Sequence, residues 1–170
     1  HGGITSTVDV TMRLVTHAPL IPTGLTTYYS LDGTCRDLSG NGNNGMPRGN
    51  LTFRVPTERI SGEVAYFDGD GDYVEIPHNT AFNELPMTIA FHVKFDGAPA
   101  KAATLISKHI HPSGDGYAVF VEGASLSAGN FRRGYVEYSR ADIAKPRSDR
   151  WVHIACILTN RYTEIYVDGV

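Results

Sequence analysis

Apolar residues along this chain recur mostly at every second position. In TVDVTMRLV (7–15), Val8, Val10, Met12 and Leu14 alternate with Asp9, Thr11 and Arg13, the period of a strand with one buried face. APLIPTG follows, and its two prolines break the run. The same reading predicts strands over 25–31 (LTTYYSL), 50–55, 63–68, 72–76, 87–95 (MTIAFHVKF), 103–109, 116–123, 134–139, 151–159 (WVHIACILT) and 163–169. These runs are rich in Val, Ile, Tyr, Phe and Thr, and clusters of Gly, Pro, Asn and Asp separate them. Outside them no stretch of ten or more residues keeps a helical i, i+3, i+4 spacing. Short strands so spaced, without helices, predict an all-β fold: a two-sheet antiparallel jelly-roll sandwich with an N-terminal strand-like arm. The Pro/Gly passage 17–24 is the one plausible boundary, leaving residues 1–24 as an arm and 25–170 as the main domain.

Composition narrows this picture. At 170 residues and 41% hydrophobic, the chain fills one domain with a buried core. A charged content of 19%, a net charge of −3 and no basic run exclude a phosphate-neutralising surface, so no nucleic-acid partner is expected. No apolar stretch approaches the roughly 20 residues that cross a bilayer, so no membrane span is expected. No basic-then-apolar signal peptide opens the chain. It begins at His1 and stops after a strand-like run, which suggests a processed chain or part of a longer one. Cys35 and Cys156 do not fix a redox compartment, and a bridge between them stays open. The sequon Asn50-Leu51-Thr52 permits glycosylation of Asn50 on a eukaryotic secretory route.

Four motifs follow one another: YYSLDGTCRDLSGNGNNG (28–45), AYFDGDGDYVEIP (65–77), MTIAFHVKF (87–95) with LISKHIHPSGDGYAVFV (105–121), and WVHIACILTNRYTEIYVDG (151–169). In this order and spacing the chain resembles the laminin-G-like or pentraxin-like branch of the concanavalin A-like lectin/glucanase superfamily. The resemblance covers about residues 25–170. It implies a jelly-roll sandwich at an extracellular, cell or virion/particle surface, often binding glycan or protein and often holding calcium. It also implies a late strand after YVDG, pairing near the first, that this chain lacks. The alternating 7–15 segment could fill such a gap, in its own chain or in a neighbour by strand addition. A sandwich without it exposes unpaired backbone edges. Pentraxins bridge the strands matching MTIAFHV and WVHIAC, but here the matching positions are Ala90 and Ala155. Cys156 stands one residue along, on the other face, so that bridge does not transfer.

Several groups have the chemistry of a site. DLSGNGNNG (37–45) offers Asp37, Asn41 and Asn43 in a glycine-rich loop, the oxygen types that a structural calcium takes; Asn and Gly supplying positive φ in a turn is the alternative. FDGDGDYVE (67–75) suggests a calcium loop through Asp68, Asp70, Asp72 and Glu75. As an EF-hand it has Tyr73 where glycine belongs and Asn79 where the bidentate Glu belongs, so a hairpin turn with exposed carboxylates is expected. His109 and His111 share a face if their strand persists, although Pro112, Gly114 and Gly116 argue for a loop. His1 could chelate copper only as a true N-terminus facing a second histidine.

Glycan hydrolysis in the superfamily uses paired carboxylates on one strand, whereas Glu122, Glu137, Glu164 and Asp168 form no i, i+2, i+4 acidic run, so no enzyme is expected. Among the aromatics, Trp151 reads as core, and Tyr117, Arg132, Tyr135 and Tyr138 read as the exposed ligand-binding set. The expected function is a non-catalytic surface module for adhesion or assembly, with residues 1–24 available for self-assembly. The alternative is a calcium-dependent carbohydrate-binding module, with a glycan rather than a protein as partner.

Overall fold

The computed structural model describes residues 10–12, 24–57, 62–97, 101–110, 115–132, 135–142 and 150–170. At 10–12, 110, 132 and 135–142 only the backbone is described. Six strands, β1 (Val10–Met12), β3 (Thr52–Arg54), β4 (Val64–Phe67), β6 (Met87–Phe95), β11 (Val152–Leu158) and β12 (Thr163–Val167), form one sheet in the order β12-β11-β6-β1-β4-β3. A second sheet runs β10-β9-β8-β7, from β7 (Ala103–Ile110), β8 (Asp115–Glu122), β9 (Ser125–Arg132) and β10 (Tyr135–Asp142). β2 (Met46–Arg48) and β5 (Tyr73–Glu75) pair separately, and one 3-10 turn spans Thr80–Asn83. The pairings described are antiparallel, as the sandwich reading requires.

The alternation read from WVHIACILT is what builds the core. Along β11, Val152, Ile154, Cys156 and Leu158 are buried and the residues between them are half-buried. Val152, Ile154 and Cys156 pack with Val93 and Phe95 of β6 against Val119 and Val121 of β8 and Leu126 and Ala128 of β9. Burying a Val, Leu, Ile or Phe stabilises the fold by roughly 1.5–3 kcal/mol relative to exposure, so this layer is the main cohesive contact between the two larger sheets. Both cysteines are buried free thiols, which resolves the bridge left open by sequence. Ala90 and Ala155 are direct register partners, with Cys156 opposite Ile89, as the motif comparison required.

β1 lies between β4 and β6. Val10 pairs with Phe67 on one side and Phe95 on the other, and Met12 pairs with Ala65 and Val93. The described part of the 7–15 run therefore fills a slot in its own sheet; its other residues lie outside the described residues, as does most of the 1–24 arm.

The structure corrects four expectations. LTTYYSL is not a strand, although Tyr28 does accept the Leu38 N–H through its carbonyl. β2 and β9 occur where no strand was predicted, on MPR and SLSAGNFR. FDGDGDYVE is not the turn of a hairpin: β4 pairs with β1 and β3, while β5 pairs with β2. The 46–54 and 64–75 stretches run antiparallel throughout, and 68–72 is an excursion from that ladder, opposite Gly49 and Asn50. Trp151 is half-buried and precedes β11 in the same phase as His153, away from the core row.

Candidate functional site

The glycine-rich loop is organised around Asp37, which is only 6% exposed. Its Oδ1 accepts the N–H groups of Tyr28 (3.0 Å) and Ser39 (2.9 Å), and its Oδ2 accepts that of Asn43 (2.9 Å). Burial pushes the Asp37 carboxyl up, but the N–H of Tyr28, the N–H and hydroxyl of Ser39 and the N–H of Asn43 outweigh it and bring it down to about 2. Asn41 Nδ2 donates to the carbonyls of Leu25 (2.7 Å) and Thr26 (3.1 Å), and Asn43 Nδ2 donates to Thr26 (2.8 Å). Asn43 Oδ1 accepts from Asn79 Nδ2 at 2.8 Å, and its carbonyl accepts the Tyr29 hydroxyl.

Asp37, Asn41 and Asn43 are thus brought together in one hydrogen-bonded loop. Calcium needs six to eight oxygens. Here the carboxylate spends three of its roughly four lone-pair sites on backbone N–H groups, and the neighbouring carbonyls accept side-chain amides. This donor set does not fit a calcium ion held by the three residues together. These bonds tie the 37–45 loop to the 25–29 stretch.

The FDGDGD carboxylates behave alike. Asp72 accepts from the N–H of Asn50 (2.5 Å) and Asp68 (3.1 Å), and Asp68 accepts from that of Asp70 (2.8 Å). No group of three or more His, Cys, Asp or Glu converges on a metal position among the described residues. Asn50, the sequon residue, is exposed in the turn between β2 and β3.

Of the proposed ligand-binding set, the side chain of Tyr117 is described. Tyr117 pairs with Asn130 in β9 and stands in phase with Val119 and Val121, the core-facing positions of β8; burial pushes its phenol up. It belongs to the inside of the sandwich. The side chains of Arg132, Tyr135 and Tyr138 lie outside the described residues; in the backbone register Arg132 pairs with Tyr135, and Tyr138 with Gly129. His109 is a β7 residue rather than part of a loop, with its ring 4.3 Å from that of Phe131; His111 and His1 lie outside the described residues. The two rings meet above Gly116, the position between them in the register, where an added Cβ would fall on the Lys108 carbonyl oxygen. Glu122 ends β8, while Glu164 lies on β12 and accepts the Tyr166 hydroxyl at 3.1 Å.

Strand pairing also assembles a group that sequence reasoning passed over. On the side of the six-stranded sheet away from the core, His92 of β6 meets His153 of β11. Asp168, just after β12, accepts the His153 N–H at 3.0 Å and Arg150 Nη1 at 2.6 Å. The His153 N–H and Arg150 hold its carboxyl below the ordinary range against a smaller opposing effect of burial. Burial first, and then the neighbouring His153, lower the His92 imidazole, while Asp168 opposes the shift. The two histidines were visible only as polar members of alternating strands. Which of them face each other depends on register, which no single strand states.

A laminin G-type family model, described as the Concanavalin A-like lectin/glucanases superfamily, matches residues 68–170, more than half of the chain. The glycine-rich 28–45 motif lies before the matched span. No curated protein and no solved structure matches.

Proposed function

The chain belongs to the concanavalin A-like lectin/glucanases superfamily, and from that premise we propose that it is a non-catalytic module for adhesion or assembly at an extracellular or particle surface, joining copies by strand addition. The observation that supports this is the position of β1. A three-residue strand from the N-terminal arm sits between β4 and β6, with backbone pairing on both sides. The slot recognises main-chain groups and alternate side chains, so the same segment of a second copy meets its requirements equally well. Exchange of an identical element is a low-cost route to association.

Sedimentation over a range of concentrations tests this in the full chain. The unaltered protein should associate as concentration rises. Thr11→Pro removes an N–H from the middle of the slot strand, and it should leave monomers while lowering stability by about 1–3 kcal/mol. An unaltered protein that stays monomeric at every concentration would sink the proposal.

A carbohydrate-binding reading also has support. Tyr166, Ala155 and Ala90 form one cross-strand row, and an exposed tyrosine beside small residues is the type of platform on which a sugar ring stacks. Binding on a glycan array that is insensitive to chelator, with no self-association, would favour this second reading without calcium.

A further inference from the structure

The His92–His153 pair differs from the rest of its sheet face. The two are direct register partners, with ring centroids 4.8 Å apart and planes inclined at 52°. Both backbone groups of His153 are engaged on the β12 side: its N–H donates to Asp168 Oδ1 at 3.0 Å, and its carbonyl accepts the Asp168 N–H at 2.8 Å. The pair is therefore a non-hydrogen-bonded pair of the β6–β11 ladder, the type in which Cα atoms stand about 4.5 Å apart and side chains approach most closely. His92 Nδ1 is buried and has no hydrogen-bond partner among the described residues. Buried polar groups are ordinarily hydrogen-bonded, so it calls for a partner that the described residues do not supply.

We propose that His92 and His153 form a two-imidazole site for a divalent transition-metal ion of the zinc class, with water in the remaining coordination positions. Zinc–imidazole bonds of about 2.0–2.1 Å put two ligating nitrogens roughly 3.3 Å apart in a tetrahedral shell. With ring centroids already 4.8 Å apart, the adjustment this asks for is a rotation about χ2, a soft torsion. The imidazoles must be neutral to bind. The Asp168 carboxylate beside the pair supplies negative charge; Arg150 and the His153 N–H hold its oxygens and fix its place. With two protein ligands the site stays open, so an exogenous donor such as a carboxylate or imidazole could complete the shell.

Zinc chloride titrated into the full chain at pH 7.5, followed by calorimetry, tests the site. One zinc per chain is expected with micromolar affinity. His92→Gln and His153→Gln should each weaken binding at least tenfold, and the double variant should abolish it. A histidine side-chain nitrogen spectrum of the unaltered protein gives a readout that does not depend on the variants folding. Resonances of His92 and His153 should shift with one equivalent of zinc, while those of His78 and His109 stay in place. Full binding in a folded double variant, shifts confined to other histidines, or no zinc binding by the unaltered protein would each overturn the proposal.

Discussion

Asp37 shows at the scale of one residue how a site type can be legible while its use is not. An aspartate among glycines and asparagines reads as a candidate metal ligand, but spacing cannot say whether its oxygens face a cation or N–H groups. Here they face Tyr28, Ser39 and Asn43. Asp37→Asn keeps one acceptor oxygen and turns an amide donor towards N–H groups that also donate, so it should lower stability by about 2 kcal/mol, measured by urea denaturation. The same carboxylate gives a pH dependence. Its folded value of about 2 lies below the ordinary 3.8. The contribution, no more than about 2 kcal/mol, is therefore present above the ordinary value and lost as pH falls from about 4 towards 2. Stability curves of the native protein and Asp37→Asn should converge over that window. Parallel curves would mean that the carboxylate does not carry the loop.

Among the elements, legibility followed side-chain size. MTIAFHVKF was placed over 87–95, the span of β6, because its large apolar residues leave no other period open. β9 was missed because SLSAGNFR carries small and polar residues that score poorly as strand. Its burial explains that composition: Leu126, Ser127, Ala128, Gly129 and Asn130 are buried in succession, so positions on both sides of the strand are short of space. Asn130 meets this burial by donating to the Thr159 carbonyl at 3.2 Å. Ala128, fully buried opposite Val119, should not tolerate enlargement. Ala128→Leu should cost about 1–3 kcal/mol in thermal or chemical unfolding through overpacking, whereas a neutral result would mean that the core has room there. The acidic stretch 67–75 was misjudged for a related reason. Asp-Gly pairs announce a change of chain direction, but they do not separate a reversal from an excursion that returns to the same antiparallel course.

For the whole molecule, alternation was enough for the sandwich, because that depends on which positions are apolar, and the resemblance of four motifs in their order was enough for the superfamily. What stayed illegible is what depends on strand neighbours: the meeting of His92 with His153, the phase of Tyr117 with the core positions of β8, and the choice of β4 and β6 as the partners of β1. The thiols belong to the same scale. Burial pushes Cys156 up to about 11 and raises Cys35 as well, so in the native molecule both are poor nucleophiles. The division of the 46–75 ladder by the 68–72 excursion also has a consequence in time. β2 and β5 share hydrogen bonds with each other, outside the six-stranded network that holds β3 and β4. The two halves are then separate opening units, so native-state amide exchange should release the β2–β5 protons at a lower free energy than those of β6 and β11, and equal protection would show that they open as one.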